Sequence, residues 1–87
     1  MNSIKIVRIS AVWCGGCLAM NKIWNEISKE YPDIEVVKYD YDMDTDIVKE
    51  LNVGEILPVA IFYKNNKEVL RLIGEQNKNT IIDIINK

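Results

Sequence analysis

The sequence contains no histidine, and this absence excludes several kinds of site. Without an imidazole the chain has no His-ligated metal centre, no Ser-His-Asp or Cys-His nucleophile, and no imidazole acid or base. It has only two cysteines, Cys14 and Cys17, so one chain also lacks the four ligands of a structural zinc site. Only a dimer sharing four cysteines could bind zinc, and that alternative stays open. We expect no metal in this chain.

Densely basic segments and long apolar runs are also absent. Lys and Arg number 11 against 13 Asp and Glu, a net charge of −2, which argues against nucleic-acid binding through bulk electrostatics. No apolar run approaches the ~20 residues that span a bilayer. The charged segment at residues 1–8 indicates a first strand and not a signal peptide. With so few cysteines, the chain is expected to be cytoplasmic. We also expect a monomer without nucleic-acid or membrane partners.

The 87 residues are enough for one domain, over residues 1–87. β-branched runs, helical spacing of apolar residues and turn residues predict seven elements. They are strands at residues 4–10, 34–39, 59–63 and 68–73, and helices at residues 14–31, at about 45–51, and from about Asn77 or Asn79 onward. Asp44 or Thr45 is the expected N-cap of the second helix. The order β-α-β-α-β-β-α predicts an α/β fold with helices on both faces of a four-stranded mixed sheet.

Cys14 and Cys17 lie where the first strand gives way to the first helix. Residues three apart on a helix are neighbours, so the two sulfurs can form a disulfide with little backbone movement. Closing so short a loop stabilises a fold by only ~2 kcal/mol, which makes a structural role weak. The unpaired N–H groups and roughly +0.5 charge of a helix N-terminus favour a thiolate at Cys14. The motif therefore predicts a redox-active site.

The two sulfurs are expected to differ in exposure. Cys17 begins the apolar stripe of the predicted helix and should point inward, whereas Cys14, at the helix start, should be the exposed sulfur. Thiol–disulfide exchange uses an accessible thiolate to attack and a shielded thiol to resolve the mixed disulfide. Gly15 and Gly16 should keep side chains away from the sulfurs and let backbone N–H groups reach them.

The segment AVWCGGC at residues 11–17, followed about forty residues later by Ile56-Leu57-Pro58, resembles thioredoxin. The resemblance covers essentially the whole chain, without the additional N-terminal strand and helix of full-length thioredoxins. It implies a thioredoxin-like fold and a protein-disulfide oxidoreductase in which Cys14 attacks and Cys17 resolves. It also implies disulfide-containing protein substrates, a flavoprotein like thioredoxin reductase as electron source, and no cofactor beyond the Cys14–Cys17 disulfide.

A substrate groove follows from the same resemblance. It implies that the Leu57–Pro58 bond is cis beside the two sulfurs, and that an extended substrate segment docks by backbone pairing. The residues implied to border this groove are Trp13, Leu57, Pro58, Ile73 and Gly74. Trp13 precedes Cys14 outside the helical stripe, which favours a docking surface, whereas the spacing of Trp24 favours the core.

Two departures from the thioredoxin pattern concern the thiols. Gly16 stands where thioredoxins usually have proline, and Arg8 stands where they carry a buried aspartate. An arginine cannot act as a base, but beside the sulfurs it favours thiolates. Lys38 matches a lysine of the same region, and two cations would make the disulfide a better oxidant. Alternatively, Arg8 extends to the sheet edge without acting on the thiols.

Two other functions remain open at this point. A glutathione-linked, glutaredoxin-like protein fits the length, but the chain lacks the Pro-Tyr pair common between glutaredoxin cysteines. A non-catalytic adaptor could use the disulfide as a redox-sensing switch. The alternating aspartates of residues 40–46 are similar to an EF-hand opening, but Thr45 and Leu51 replace its glycine and glutamate. We interpret this segment as a loop leading into a helix.

Overall fold

The computed structural model describes residues 4–86 and contains the predicted elements in the predicted order. They are β1 (Ile4–Ser10), α1 (Gly15–Glu30), β2 (Glu35–Asp40), α2 (Thr45–Glu50), β3 (Val59–Lys64), β4 (Lys67–Ile73) and α3 (Lys78–Ile85). Residues 1–3, which belong to the segment predicted as a first strand, lie outside the described residues. Predicted and observed element bounds differ by at most one residue.

The four strands form one mixed sheet in the order β2-β1-β3-β4. β1 pairs with β2 in parallel and with β3 antiparallel, and β3 pairs with β4 antiparallel. The predicted α/β fold class is confirmed. Because β1 is central, its carboxyl end, which leads to the cysteines, lies between strand ends on both sides.

The core has two layers, one on each face of the sheet. On one face, α1 and α3 cover alternate residues of β1 and β3 around Ile6 and Phe62. On the other face, α2 contributes Val48 against Val7 and Ile61. This alternation explains the apolar residues on both faces of β1, and it confirms helices on both sides of the sheet.

Local signals explain where the elements begin and end. α1 stops at Glu30, two residues before Pro32, because the residue before a proline is disfavoured in the α region. Asn65 and Asn66 both have left-handed backbone conformations, with φ of 55° and 68°, and close the β3–β4 hairpin. Asn77 caps α3, since its side chain accepts the Thr80 N–H at 2.9 Å.

α2 begins differently from the expectation for a capped helix. Asp44 occupies the N-cap position but makes no capping hydrogen bond. Its carboxylate instead accepts the backbone N–H of Asp40 at 2.8 Å, while Asp40 accepts the N–H groups of Asp42 and Met43. These carboxylates organise the loop that leads into α2, as the sequence indicates. None of the helices within residues 4–86 has the length and apolar character to cross a bilayer.

Candidate functional site

The two cysteines lie at the junction of β1 and α1. A turn follows β1, in which the Cys14 N–H donates to the Ala11 carbonyl at 3.2 Å. Cys14 is the N-cap of α1, and its sulfur accepts the Cys17 N–H at 3.2 Å. Both cysteines are free thiols. The Cys17 N–H in the first turn of the helix therefore points to the Cys14 sulfur, where it favours negative charge.

The prediction of an exposed Cys14 is wrong in degree. Cys14 is 8% exposed and Cys17 is 3% exposed, so both thiols are buried and Cys14 is only the more accessible of the two. Leu57 and Tyr41 pack against the small cluster that the two cysteines form with Ala11. These partners come from distant parts of the chain, and they cover the sulfur that the helix start alone would leave open.

The two thiols also differ in their electrostatics. Burial, together with the hydrogen bond with Cys14, raises the pKa of Cys17 from an ordinary 9.0 to about 11. A backbone hydrogen bond from Ala11 and the positive charge of Arg8 act in the opposite direction. At neutral pH the Cys17 side chain is therefore a protonated thiol.

A cis peptide bond at Leu57–Pro58 lies beside the cysteines, as the resemblance implies. Leu57 packs against the cysteine cluster. The Gly74 N–H donates to the Pro58 carbonyl at 2.8 Å, and Ile73 pairs with Val59. Within residues 4–86 the backbone of Leu57 makes no hydrogen bond to another residue. A backbone edge is thus open next to the sulfurs.

The thioredoxin family model matches residues 1–87. The chain belongs to the thioredoxin family. The thioredoxin of Rickettsia felis is 36% identical over 83 residues, which cover 94% of this chain and 78% of that protein. The H-type thioredoxin of Picea mariana is 37% identical over 78% of this chain, which spans only 54% of that protein's length. The X-ray structure of Fasciola hepatica thioredoxin has a TM-score of 0.88 at 28% identity, covering 97% of this chain and 79% of that one.

Thioredoxins are protein-disulfide oxidoreductases, and this chain is a thiol–disulfide oxidoreductase with a Cys-Gly-Gly-Cys site. Members of the family act on disulfide substrates and are reduced by thioredoxin reductase. Membership favours this function over the glutaredoxin-like and adaptor alternatives that the sequence leaves open.

Arg8 lies under this thioredoxin site and does not extend to the sheet edge. Its guanidinium carbon is 5.3 Å from the centre of the buried Trp24 ring, and Nη2 donates to Asn21 Oδ1 at 2.8 Å. Its Nε is buried without a hydrogen-bond partner among the described residues. Burial lowers the pKa of Arg8, and the nearby Cys17 opposes that change. Lys38 is exposed on the edge strand β2, in register with Arg8, and is not among the groups that shift the Cys17 pKa.

Trp13 is 59% exposed next to Cys14, in contrast to Trp24, which is 2% exposed in the core. The Trp13 indole N–H donates to Asp42 at 2.7 Å, and its ring meets Tyr41 edge-on at 6.1 Å. Trp13 is thus held in place from one side while its other surface stays free. Other large exposed apolar side chains share this end of the molecule, on the segments that border the cysteines. They are Val12, Leu18, Met43, Ile56 and Ile73.

The two glycines of the motif differ in their surroundings. A Cβ at Gly16 would lie 3.1 Å from a Glu75 carboxylate oxygen and 3.3 Å from Pro58 Cδ, whereas a Cβ at Gly15 would meet nothing within 4 Å. The expectation that both glycines are needed to clear space therefore holds only for Gly16. Sequence reasoning missed Glu75 altogether. The one available signal was its place directly after Gly74 in the implied groove.

Proposed function

We propose that Cys14 is the attacking thiolate and Cys17 the resolving thiol of a protein-disulfide reductase. Cys14 attacks one sulfur of a substrate disulfide, forms a mixed disulfide and releases the other substrate sulfur as a thiolate. Cys17 then loses its proton and attacks the Cys14 sulfur, which frees the second substrate thiol and leaves a Cys14–Cys17 disulfide. Two electrons pass to the substrate, and its two sulfurs take up the proton lost by Cys17 and one proton from water. The hydrogen bond from the Cys17 N–H to the Cys14 sulfur carries this assignment.

The order of the two steps is supported by the influences on the Cys17 pKa. Two of the causes that raise this pKa come from Cys14, through its hydrogen bond and its charge. Both end when the Cys14 sulfur enters a mixed disulfide, whereas the positive charge of Arg8 remains. The Cys17 thiol thus becomes more acidic at the moment when its thiolate is needed. In this proposal Arg8 helps to tune the thiols from below, and exposed Lys38 contributes less because water screens it.

Docking of the substrate is proposed to use the open backbone edge of Leu57. An extended substrate segment that pairs with Leu57 would run between Trp13 and the segment Ile73-Gly74. Backbone pairing supplies affinity without demanding one sequence, which suits an enzyme that acts on several protein disulfides. The exposed apolar side chains around the site would cover the docked segment and exclude water.

The cofactor, partner and location of the chain are further parts of the proposal. The electrons reside in the Cys14–Cys17 pair, so the exchange itself needs no bound cofactor. We expect a flavoprotein like thioredoxin reductase to restore the dithiol. We expect the chain to be a monomer in the cytoplasm. Its only two cysteines form the redox pair, and proteins of reducing compartments rarely carry structural disulfides.

Trapping of the mixed disulfide tests the cysteine assignment. Cys17→Ser should accumulate covalent adducts with substrate proteins that dithiothreitol releases, whereas the matched Cys14→Ser should accumulate few. Equal adducts on both variants, or adducts on Cys14→Ser alone, would reverse the roles. For the partner, the oxidised chain is offered NADPH together either with thioredoxin reductase or with glutathione and glutathione reductase. Reduction by the second system only would contradict the proposed electron source.

A further inference from the structure

The charged residues on the chain segments that border the cysteines are all acidic. Four segments border the cysteines: residues 9–18, 40–46, 52–58 and 72–76. They carry no lysine or arginine, although the chain has 11 basic residues. Their charged residues are Asp40, Asp42, Asp44, Asp46, Glu55 and Glu75. Two of these lie against the cysteine motif: Glu75 is next to Gly16, and Asp42 accepts a hydrogen bond from Trp13.

Glu75 lies against the cysteine motif itself. Its carboxylate oxygen is 3.1 Å from the point where a Gly16 Cβ would stand, in the space next to Pro58. The residue is exposed, and it follows the Ile73-Gly74 segment of the proposed groove. A charge at this position lies beside the cysteine motif that a substrate disulfide has to approach.

Asp42 contacts Trp13, the residue that precedes Cys14. It is exposed, and one of its oxygens accepts the Trp13 indole N–H at 2.7 Å. An indole is neutral, so this hydrogen bond leaves the negative charge of the carboxylate uncompensated. Trp13 immediately precedes Cys14, so this hydrogen bond attaches Asp42 to the segment that carries the attacking cysteine.

The two arginines near the active-site end, Arg71 and Arg8, make their contacts with groups other than Glu75 and Asp42. Arg71, beside the loop at residues 52–56, makes two hydrogen bonds to Glu68, at 2.7 and 2.8 Å, and one to the Leu51 carbonyl. Arg8 lies beneath the site against Trp24. Neither neutralises the carboxylates of Glu75 and Asp42, which face the solvent.

We propose that Glu75 and Asp42 are specificity-determining residues that favour disulfides flanked by lysine or arginine. The inference rests on the proposed function and names the substrate class of the same site. Apolar contacts of Trp13 and Ile73 hold the docked segment, while the two carboxylates attract a basic residue next to the substrate cysteine. Complementary charge of this kind acts mainly on the association rate and on the rejection of wrong partners.

Two synthetic peptides test the proposal. Each contains one intramolecular disulfide, and they differ only in the flanking residues, which are lysines in one peptide and glutamates in the other. The second-order rate of reduction by the dithiol form of the full chain is measured for each. Flanking charge also changes the intrinsic reactivity of a disulfide, so each rate is divided by the rate with dithiothreitol. The readout is the normalised lysine-to-glutamate ratio.

We expect this ratio to be about 3 to 10 at low ionic strength and to fall toward 1 at high salt. Glu75→Gln and Asp42→Asn should each lower the ratio by at least about twofold, and both substitutions keep an oxygen that can accept a hydrogen bond. Glu35→Gln is the control, because Glu35 is an exposed acid paired with Lys5 at the opposite end of the sheet.

Each outcome decides one claim. A normalised ratio near 1 in the unmodified chain overturns the charge preference while the reductase function stands. A ratio that Glu75→Gln and Asp42→Asn leave unchanged, or that Glu35→Gln lowers equally, overturns the assignment to these two residues. If neither peptide is reduced although dithiothreitol reduces both, the proposed reductase function fails first.

Discussion

Arg8 and Trp24 stack beneath the redox site, with the guanidinium carbon 5.3 Å from the ring centre. The contact holds a cation on the central strand directly under α1, the helix that begins at the cysteines. Thioredoxins place a buried aspartate at this position of the sequence, so the charge beneath the thiols is reversed here. An arginine stays protonated, and Arg8 can therefore act on the thiols only through its field.

Arg8→Met tests this field. Methionine keeps an apolar stem against Trp24 but removes the charge that lowers the Cys17 pKa. Thiolate forms lose stabilisation, so we expect the reduction potential to fall by about 10–30 mV, the larger value corresponding to ~1.4 kcal/mol. Lys38→Met should shift it less, since water screens an exposed charge. Potentials are measured by equilibration with glutathione buffers. An unchanged potential in a folded Arg8→Met protein would show that Arg8 does not tune the thiols.

The second prediction concerns the ionisation of Cys17. With the Cys17 pKa at about 11, the 13C NMR shift of the Cys17 Cβ, which is read separately from the tyrosine signals, should show its titration only near that pH in the unmodified chain. Cys14→Ala removes the hydrogen bond and the charge of Cys14, which are two of the causes that raise this pKa, so the Cys17 pKa should fall below 11. A Cys17 pKa that does not change in Cys14→Ala would contradict the proposed order of the two chemical steps.

The free energy of unfolding should depend on the ionisation of Cys17 in the pH range between its pKa in the unfolded chain and its pKa in the folded chain. The folded pKa of Cys17, about 11, lies above the ordinary value of 9.0, so the folded state favours the neutral thiol. Between these values the unfolded chain has lost more protons, and the free energy of unfolding must fall as pH rises. Urea unfolding at several pH values should show a shallower fall in Cys17→Ala. Tyr63, whose pKa burial also raises, titrates in both proteins.

The fold could be predicted because its signals are local. β-branched runs marked the strands, and Asn65 and Asn66 marked a turn that needs positive φ. Ile34 shows the limit of such signals. It continues an apolar run and was expected in the second strand, yet its N–H bonds to the Tyr31 carbonyl, so the turn after α1 extends to it. Whether such a residue joins the turn or the strand depends on its pairing partners in distant parts of the chain, and a local sequence pattern does not contain them.

The site was predictable only in part, for the same reason. Spacing alone identifies Cys14 and Cys17 and places them at a helix start. The cover over Cys14 comes from Leu57 and Tyr41, on two other segments, so its burial could not be read from the motif. The position of Glu75 depends on how the loop after β4 crosses the start of α1. The sequence alone therefore does not show that the Glu75 carboxylate lies next to Gly16.

The two glycines of the motif give a matched pair of stability predictions. Alanine at Gly15 meets nothing within 4 Å and should stabilise by about 0.5–1 kcal/mol, since glycine costs more conformational entropy than alanine. That corresponds to a rise in Tm of roughly 2–8 °C for a domain of this size. Alanine at Gly16 gains the same entropy, but its Cβ would lie 3.3 Å from the Pro58 ring and 3.1 Å from Glu75.

We therefore expect Gly16→Ala to show no gain in Tm, or a loss. The Glu75 carboxylate is the end of a flexible chain and can move, whereas the ring of Pro58 is buried and fixed by its neighbours. Adding Glu75→Ala to Gly16→Ala should recover only part of the difference between the two alanine variants. Differential scanning calorimetry of these three proteins decides the matter. Equal gains for alanine at both positions would mean that neither Glu75 nor Pro58 restricts the side chain at position 16.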